Sequence, residues 1–172
     1  DLHLLGEALA ARRYQPRWDR YQAWVEAVGD QGVVYLPAGY SAMGHLLNYW
    51  MGVEGVIYAI ADWPQTMRSV VHRINANTLE LIDLLAESPA EVILMGDNIS
   101  SDIQPPPFFA EWSRDFYAEA IRRLTRSAAP GADVFELLKR RGLNPTASGF
   151  FDFDGDDQAE RWFTTRYRER YK

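Results

Sequence analysis

Trp18, Tyr21, Val25 and Val28 stand three or four residues apart in WDRYQAWVEAV, so they share one face of a helix, and Gly29 follows as a residue suited to ending it. GVVYLPAG (32–39) changes the pattern to a short β-branched and aromatic run bounded by Gly and Pro, which predicts a buried strand. Ser41 can cap a helix reaching Met51. Asp62 and Gln65 have the spacing of a capping box, and Pro64 suits a first helical turn. From there Met67, Val70, Val71, Ile74, Leu81, Ile82 and Leu85 line one side of a long helix that stops near Pro89. EVILMG (91–96) predicts a second strand and 97–107 a polar loop. A helix over 108–126 follows, with Trp112, Phe116, Ala120 and Leu124 every fourth residue. A last helix over 132–145 carries Lys139, Arg140 and Arg141 at its C-terminal end, where cations complement the helix dipole.

Strands separated by long helical crossovers imply a parallel sheet and an α/β class. Sites in such folds lie beyond the C-terminal ends of the strands. Tyr40 and Ser41 follow the first strand, and Asp97, Asn98, Ser100 and Asp102 follow the second. If the strands are neighbours, these two groups line one cleft. The prolines at 105–107 cannot pair as a strand and restrict the loop between the polar cluster and the next helix.

Composition narrows the function classes. The 172 residues are 47% hydrophobic, which gives material for a sizeable core and argues against disorder. The net charge of −6 argues against a nucleic-acid partner. No apolar run approaches the roughly 20 residues of a membrane helix, and DLHLLGEALAARR lacks the basic start and apolar stretch of a signal peptide. Cysteine is absent, which removes disulfides, thiolate nucleophiles and Cys-ligated zinc within the chain and fits a cytoplasmic setting.

Three stretches resemble the uroporphyrinogen decarboxylase superfamily. VVYLPAGYSAMGHLLNYWMGVEG is similar to its segment in which a strand ends in a Gly-Ala-Pro-like turn and the following helix finishes in an aliphatic-Glu-Gly motif, here Val53, Glu54 and Gly55. ADWPQTMRSVVHRINANTLELIDLL resembles the next helix. MGDNISSDIQPPPFFAEWSRDFYAEAIRRL resembles the next strand, its polar loop and the helix after it. The resemblance covers roughly residues 20–125 and implies a partial or complete (β/α)8 TIM-type barrel with parallel strands. On this reading residues 1–172 form a single α/β domain, a fragment of a larger barrel, with 126–172 an unassigned helical tail. A full barrel takes roughly 250 residues. The family's N-terminal arginine motif and distal histidine have no counterpart here.

The resemblance further implies a carboxy-lyase acting on a carboxylated tetrapyrrole without a cofactor. Its catalytic candidates are Asp97, Asn98 and Tyr49. Tyr49 lies nearest the family's tyrosine, and Asn98 falls where the family has a serine. Tyr40, Ser41, His45, Ser100 and Asp102 are the substrate-binding candidates, and a small molecule is the expected partner. The alternative within the superfamily is a methyltransferase delivering a methyl group to a corrinoid or thiol, for which zinc or a corrinoid would be the cofactor. His45 with Asp97 and a second carboxylate could hold a divalent ion. A third reading is a non-catalytic half-barrel binding module. A homodimer would cover the apolar strand edges of an incomplete barrel. DFDGDD (152–157) departs from a calcium loop, with Gly155 at position 4 instead of 6 and Phe163 at position 12. Arg161, Arg166, Arg168 and Arg170 read as a solvated helix face.

Overall fold

The computed structural model describes residues 2–97 and 99–125. They lie within one compact unit, Asp1–Ala132. Its elements are α1 (Leu2–Ala10), α2 (Trp18–Val28), β1 (Leu36–Pro37), α3 (Ala42–His45), α4 (Gly52–Asp62), α5 (Pro64–Ala86), β2 (Ile93–Leu94), α6 (Pro106–Trp112) and α7 (Arg114–Thr125). A short 3₁₀ turn, Gly29–Gln31, follows α2, and a π-helical turn, Leu46–Trp50, continues α3.

The barrel expectation is overturned. The described residues are 69% helical, and among them the one sheet has two short parallel strands. Leu36 pairs with Ile93 and Pro37 with Leu94. The apolar runs 32–39 and 91–96 therefore supply far less strand than their composition suggests. Pro37 has no N–H to offer a further ladder, and Gly39 turns the chain out of the strand at φ 74°. A barrel strand is bonded on both edges, whereas each strand here pairs on one edge among the described residues. The expected adjacency does hold: β1 and β2 are parallel neighbours, joined through α3, α4 and α5.

Two apolar clusters hold the elements together. In one, Leu9 of α1, Met43, Leu46, Val56 and Trp112 close around Met67, Val70 and Ile74 of α5. Gly6 lets α1 approach α5 closely, since a Cβ there would stand 3.1 Å from Val70 Cγ2. In the other, Ala38, Ile82, Leu85, Phe116, Tyr117 and Ala120 pack α7 against the C-terminal half of α5, with Leu36 and Ile93 of the sheet against them. The long helix read from the sequence thus forms the spine shared by both clusters.

Several boundaries differ from expectation for local reasons. The Asp62–Gln65 capping box does not form. Asp62 ends α4, and Trp63 precedes Pro64 without a side-chain cap. Val53, Glu54 and Gly55 begin α4 instead of ending a helix, because Gly52 at φ 70° breaks the chain after the π turn. The expected helix over 108–126 is two helices divided at Ser113, whose buried hydroxyl donates to Gln104 Oε1 at 2.7 Å. Pro106 and Pro107 open α6. Asn98, the helix over 132–145, the 152–157 turn and the C-terminal arginine helix lie outside the described residues. Among those described, no helix is long and apolar enough to cross a membrane.

Ile82 is fully buried where α5 meets α7 and the sheet. Ile82→Ala is expected to lower the unfolding free energy by roughly 2–5 kcal/mol in urea titrations. Tyr58→Ala, at an exposed position, should change it by less than about 0.5 kcal/mol.

Candidate active site

Adjacency of the two strands brings Ser41 and Asp97 together across 56 positions of sequence. Ser41 begins α3, and its hydroxyl accepts from the Gly44 N–H at 3.1 Å. The neighbouring Ala42 N–H is taken by Asn75 Oδ1 of α5 at 2.8 Å. Two of the otherwise unpaired donors of a helix start are thereby satisfied. The Ser41 N–H donates to Asp97 Oδ1 and Oδ2 at 3.1 and 3.2 Å, and the Ser41 hydroxyl donates to Oδ2. The Tyr117 hydroxyl, reaching in from α7, donates to the same oxygen.

Electrostatics follow from this burial. Removal from water raises the Asp97 pKa above the usual carboxylate value, and the donors from Ser41 and Tyr117 oppose that shift. The Tyr117 phenol is driven strongly upward by burial and then by the Asp97 charge, so it stays protonated and donating. Gly44 is required beside them: a Cβ at that position would collide with the Asp97 carboxylate.

An aromatic group lies alongside. Tyr40 and Tyr49 meet edge to face, with centroids 5.2 Å apart and planes at 83°. The His45 ring is 5.7 Å from Tyr40 and 6.1 Å from Tyr49. The π turn carries Tyr49 into this group, with the Met51 N–H bonded to the Leu46 carbonyl, and Asn48 Nδ2 caps the Gly44 carbonyl at 2.8 Å. Such turns recur at functional sites. The neighbouring Tyr49 hydroxyl raises the Tyr40 pKa, and the Asp97 charge adds to it. His45 is shifted downward by burial and then by the Arg12 guanidinium, whose Nη1 lies 2.9 Å from His45 Nε2.

Of the candidates from the sequence, Tyr40, Ser41, His45, Tyr49 and Asp97 come together. Ser100 and Asp102 do not join them. Both are exposed in the turn that follows, where the Ser100 carbonyl accepts from the Ile103 and Gln104 N–H groups. Asn98 lies outside the described residues. Tyr117, Gly44 and Arg12 were not anticipated. Tyr117 had one available signal, a hydroxyl beside the apolar Phe116–Ala120 face that would need a buried partner. Among the described residues, no group of three His, Asp or Glu side chains is placed to hold a metal ion. A separate apolar groove of about 720 Å³ runs between α2 and residues 33–37, flanked by Trp18, Tyr21, Trp24 and Tyr35. None of the candidates lines it, and no carboxylate is among its described lining residues. Comparison with protein-family models, with curated proteins and with solved structures gives no match to this chain.

Gly44→Ala tests the packing on Asp97. The helix propensity of Ala over Gly favours the variant by about 1 kcal/mol, but the collision with a carboxylate held by three donors outweighs it. A net loss of roughly 1–3 kcal/mol is expected in chemical denaturation. The raised Asp97 pKa sets a pH dependence. The folded chain holds this proton to higher pH than the unfolded chain, so the group's contribution falls as pH rises from about 4 through the native pKa, then levels off. Melting temperatures of the wild type minus those of Asp97→Asn should decline over that window and be flat above it.

Proposed function

We propose that this chain carries the ring-facing part of a uroporphyrinogen decarboxylase-like carboxy-lyase. The observation that supports it most directly is the Asp97 carboxylate, partly buried just beyond β2, held by Ser41 and Tyr117 and set beside the Tyr40–His45–Tyr49 rings. The resemblance over residues 20–125 supplies the reaction class, and the geometry supplies the group that would act.

Loss of a pyrrole acetate's carboxyl group begins with protonation of the ring, which becomes cationic. The carbon–carboxylate bond then breaks, its electrons return to the ring system, CO2 leaves, and a second proton delivered to the exocyclic carbon as the ring proton is lost completes a methyl group. The net change is exchange of CO2 for one proton. A fixed anion beside the ring stabilises the cationic stage more than the neutral ground state, which is the requirement for catalysis. Asp97 is suited to this because its donors hold it in place before the charge develops. Ser41 and Tyr117 act through it as positioning residues, and Tyr40 and Tyr49 offer faces to a flat ring. The reading carries the cytoplasmic setting with it, where a chain without cysteine is unaffected by reducing conditions.

The test is release of CO2 from uroporphyrinogen by the full chain. Turnover is expected with or without chelator. Asp97→Asn should lower kcat by about 10²-fold or more, with the far-ultraviolet circular dichroism retained. Turnover that survives this substitution intact, or that appears only with a methyl donor and zinc or a corrinoid, would overturn the assignment in favour of the second activity of the superfamily.

A further inference from the structure

We propose that the groove between α2 and residues 33–37 binds a long-chain acyl carboxylate, with its head at Arg20 and its chain lying toward Val28 and Val33. The site is separate from Asp97, and the proposal does not rest on the decarboxylation reading.

The groove follows from how α2 is attached. Trp18, at the start of the helix, packs on the cluster between α5 and α7, as Leu36 does. Near the same end the Tyr21 hydroxyl donates to the Val34 carbonyl at 3.4 Å. At the other end the chain turns back through Gly29–Gln31, and Gly32 lies against Val28: a Cβ there would stand 3.3 Å from Val28 Cγ1. The helix and the segment after the turn are thus two walls that join at Val28 and Val33. Trp18, Tyr21, Trp24 and Val28 recur every three or four residues, so they fall on the wall side of the helix. From Trp18 to Val28 that wall is about 15 Å long.

Charge is confined to one end. Among the described lining residues only Arg17 and Arg20 are charged, and both stand at the start of α2. Asp19 already engages Arg17 through two bonds, at 3.1 and 3.0 Å. The Arg20 guanidinium lies over the Trp24 ring, 6.0 Å from its centroid, which places a cation on the groove wall itself. The rest of the lining is aromatic and aliphatic, and Trp24 and Tyr35 are 59% and 52% exposed. An apolar groove of about 720 Å³ with a polar group at one end has the size and make-up of a small-molecule site. Its complement is a molecule with one anionic end and a long apolar body. A single guanidinium fork matches a carboxylate through parallel N–H bonds. A compact ring at Arg20 would leave the Val28 end uncovered, whereas an acyl chain reaches it.

The experiment is a titration of the full chain with decanoate and with decanol, below the concentration at which either forms micelles or separates. The readout is the NMR resonances of the Trp18 and Trp24 indole N–H groups. Decanoate is expected to shift both and to bind about tenfold tighter than decanol, a difference of about 1.4 kcal/mol. From hexanoate to decanoate each added methylene should tighten binding by up to about fourfold. Arg20→Met should bring decanoate down to the affinity of decanol with the circular dichroism unchanged. Arg20→Lys keeps the charge but not the fork and should retain part of the preference. Equal affinity for acid and alcohol, an undiminished preference in Arg20→Met, affinity that does not rise with chain length, or shifts confined to other tryptophans would each overturn the proposal.

Discussion

The Asp97 carboxylate is the point at which three separate parts of the chain are tied. It stands beyond β2, accepts from the backbone and hydroxyl of Ser41 at the start of α3, and accepts from Tyr117 on α7. Taking an anion out of water is costly, and the donors around Asp97 offset part of that cost. Here those donors come from elements that the chain must first fold into place. The position of α3, and with it the aromatic group at Tyr40, His45 and Tyr49, therefore depends on the same contacts that stabilise the buried charge.

The helical layer explains how such a small sheet is sufficient. A two-residue parallel pair contributes little by itself. It is held because Leu36 and Ile93 pack on the cluster between α5 and α7, while the opposite end of α5 packs with α1, α3 and α4. Three amide side chains refine this frame: Asn75 and Asn77 on α5 fix the start of α3 and the Arg12–Tyr14 segment, and Gln104 fixes the break between α6 and α7. Buried polar groups with satisfied partners determine where loops lie, a task that apolar packing alone leaves undetermined.

Legibility in the sequence followed the range of the interaction. Helix α2 and its glycine stop, the Ser41 cap and the buried face of α5 were all readable, because spacing and capping act within a few residues. The strands were overestimated because an apolar run shows burial but not how many neighbours it will find. Asp62 was misassigned as a cap because the preceding residues were themselves helical. The barrel came from resemblance instead of periodicity, and the described residues, mainly helical with a two-stranded sheet, do not form it.

The site divides in the same way. Small polar groups after each apolar run marked Tyr40, Ser41 and Asp97 as candidates, since strand ends are where a chain can present such groups. The sequence by itself determined those positions, the long amphipathic helix behind them and the acidic, cysteine-free character of the chain. The tertiary structure decided that Asp97 meets Ser41 and Tyr117, that Ser100 and Asp102 turn away, and that Arg12 stands at His45. Local spacing carries no information about partners 20, 33 or 56 residues away. Only packing of α1 and α7 on the common spine of α5 brings those side chains within hydrogen-bonding reach.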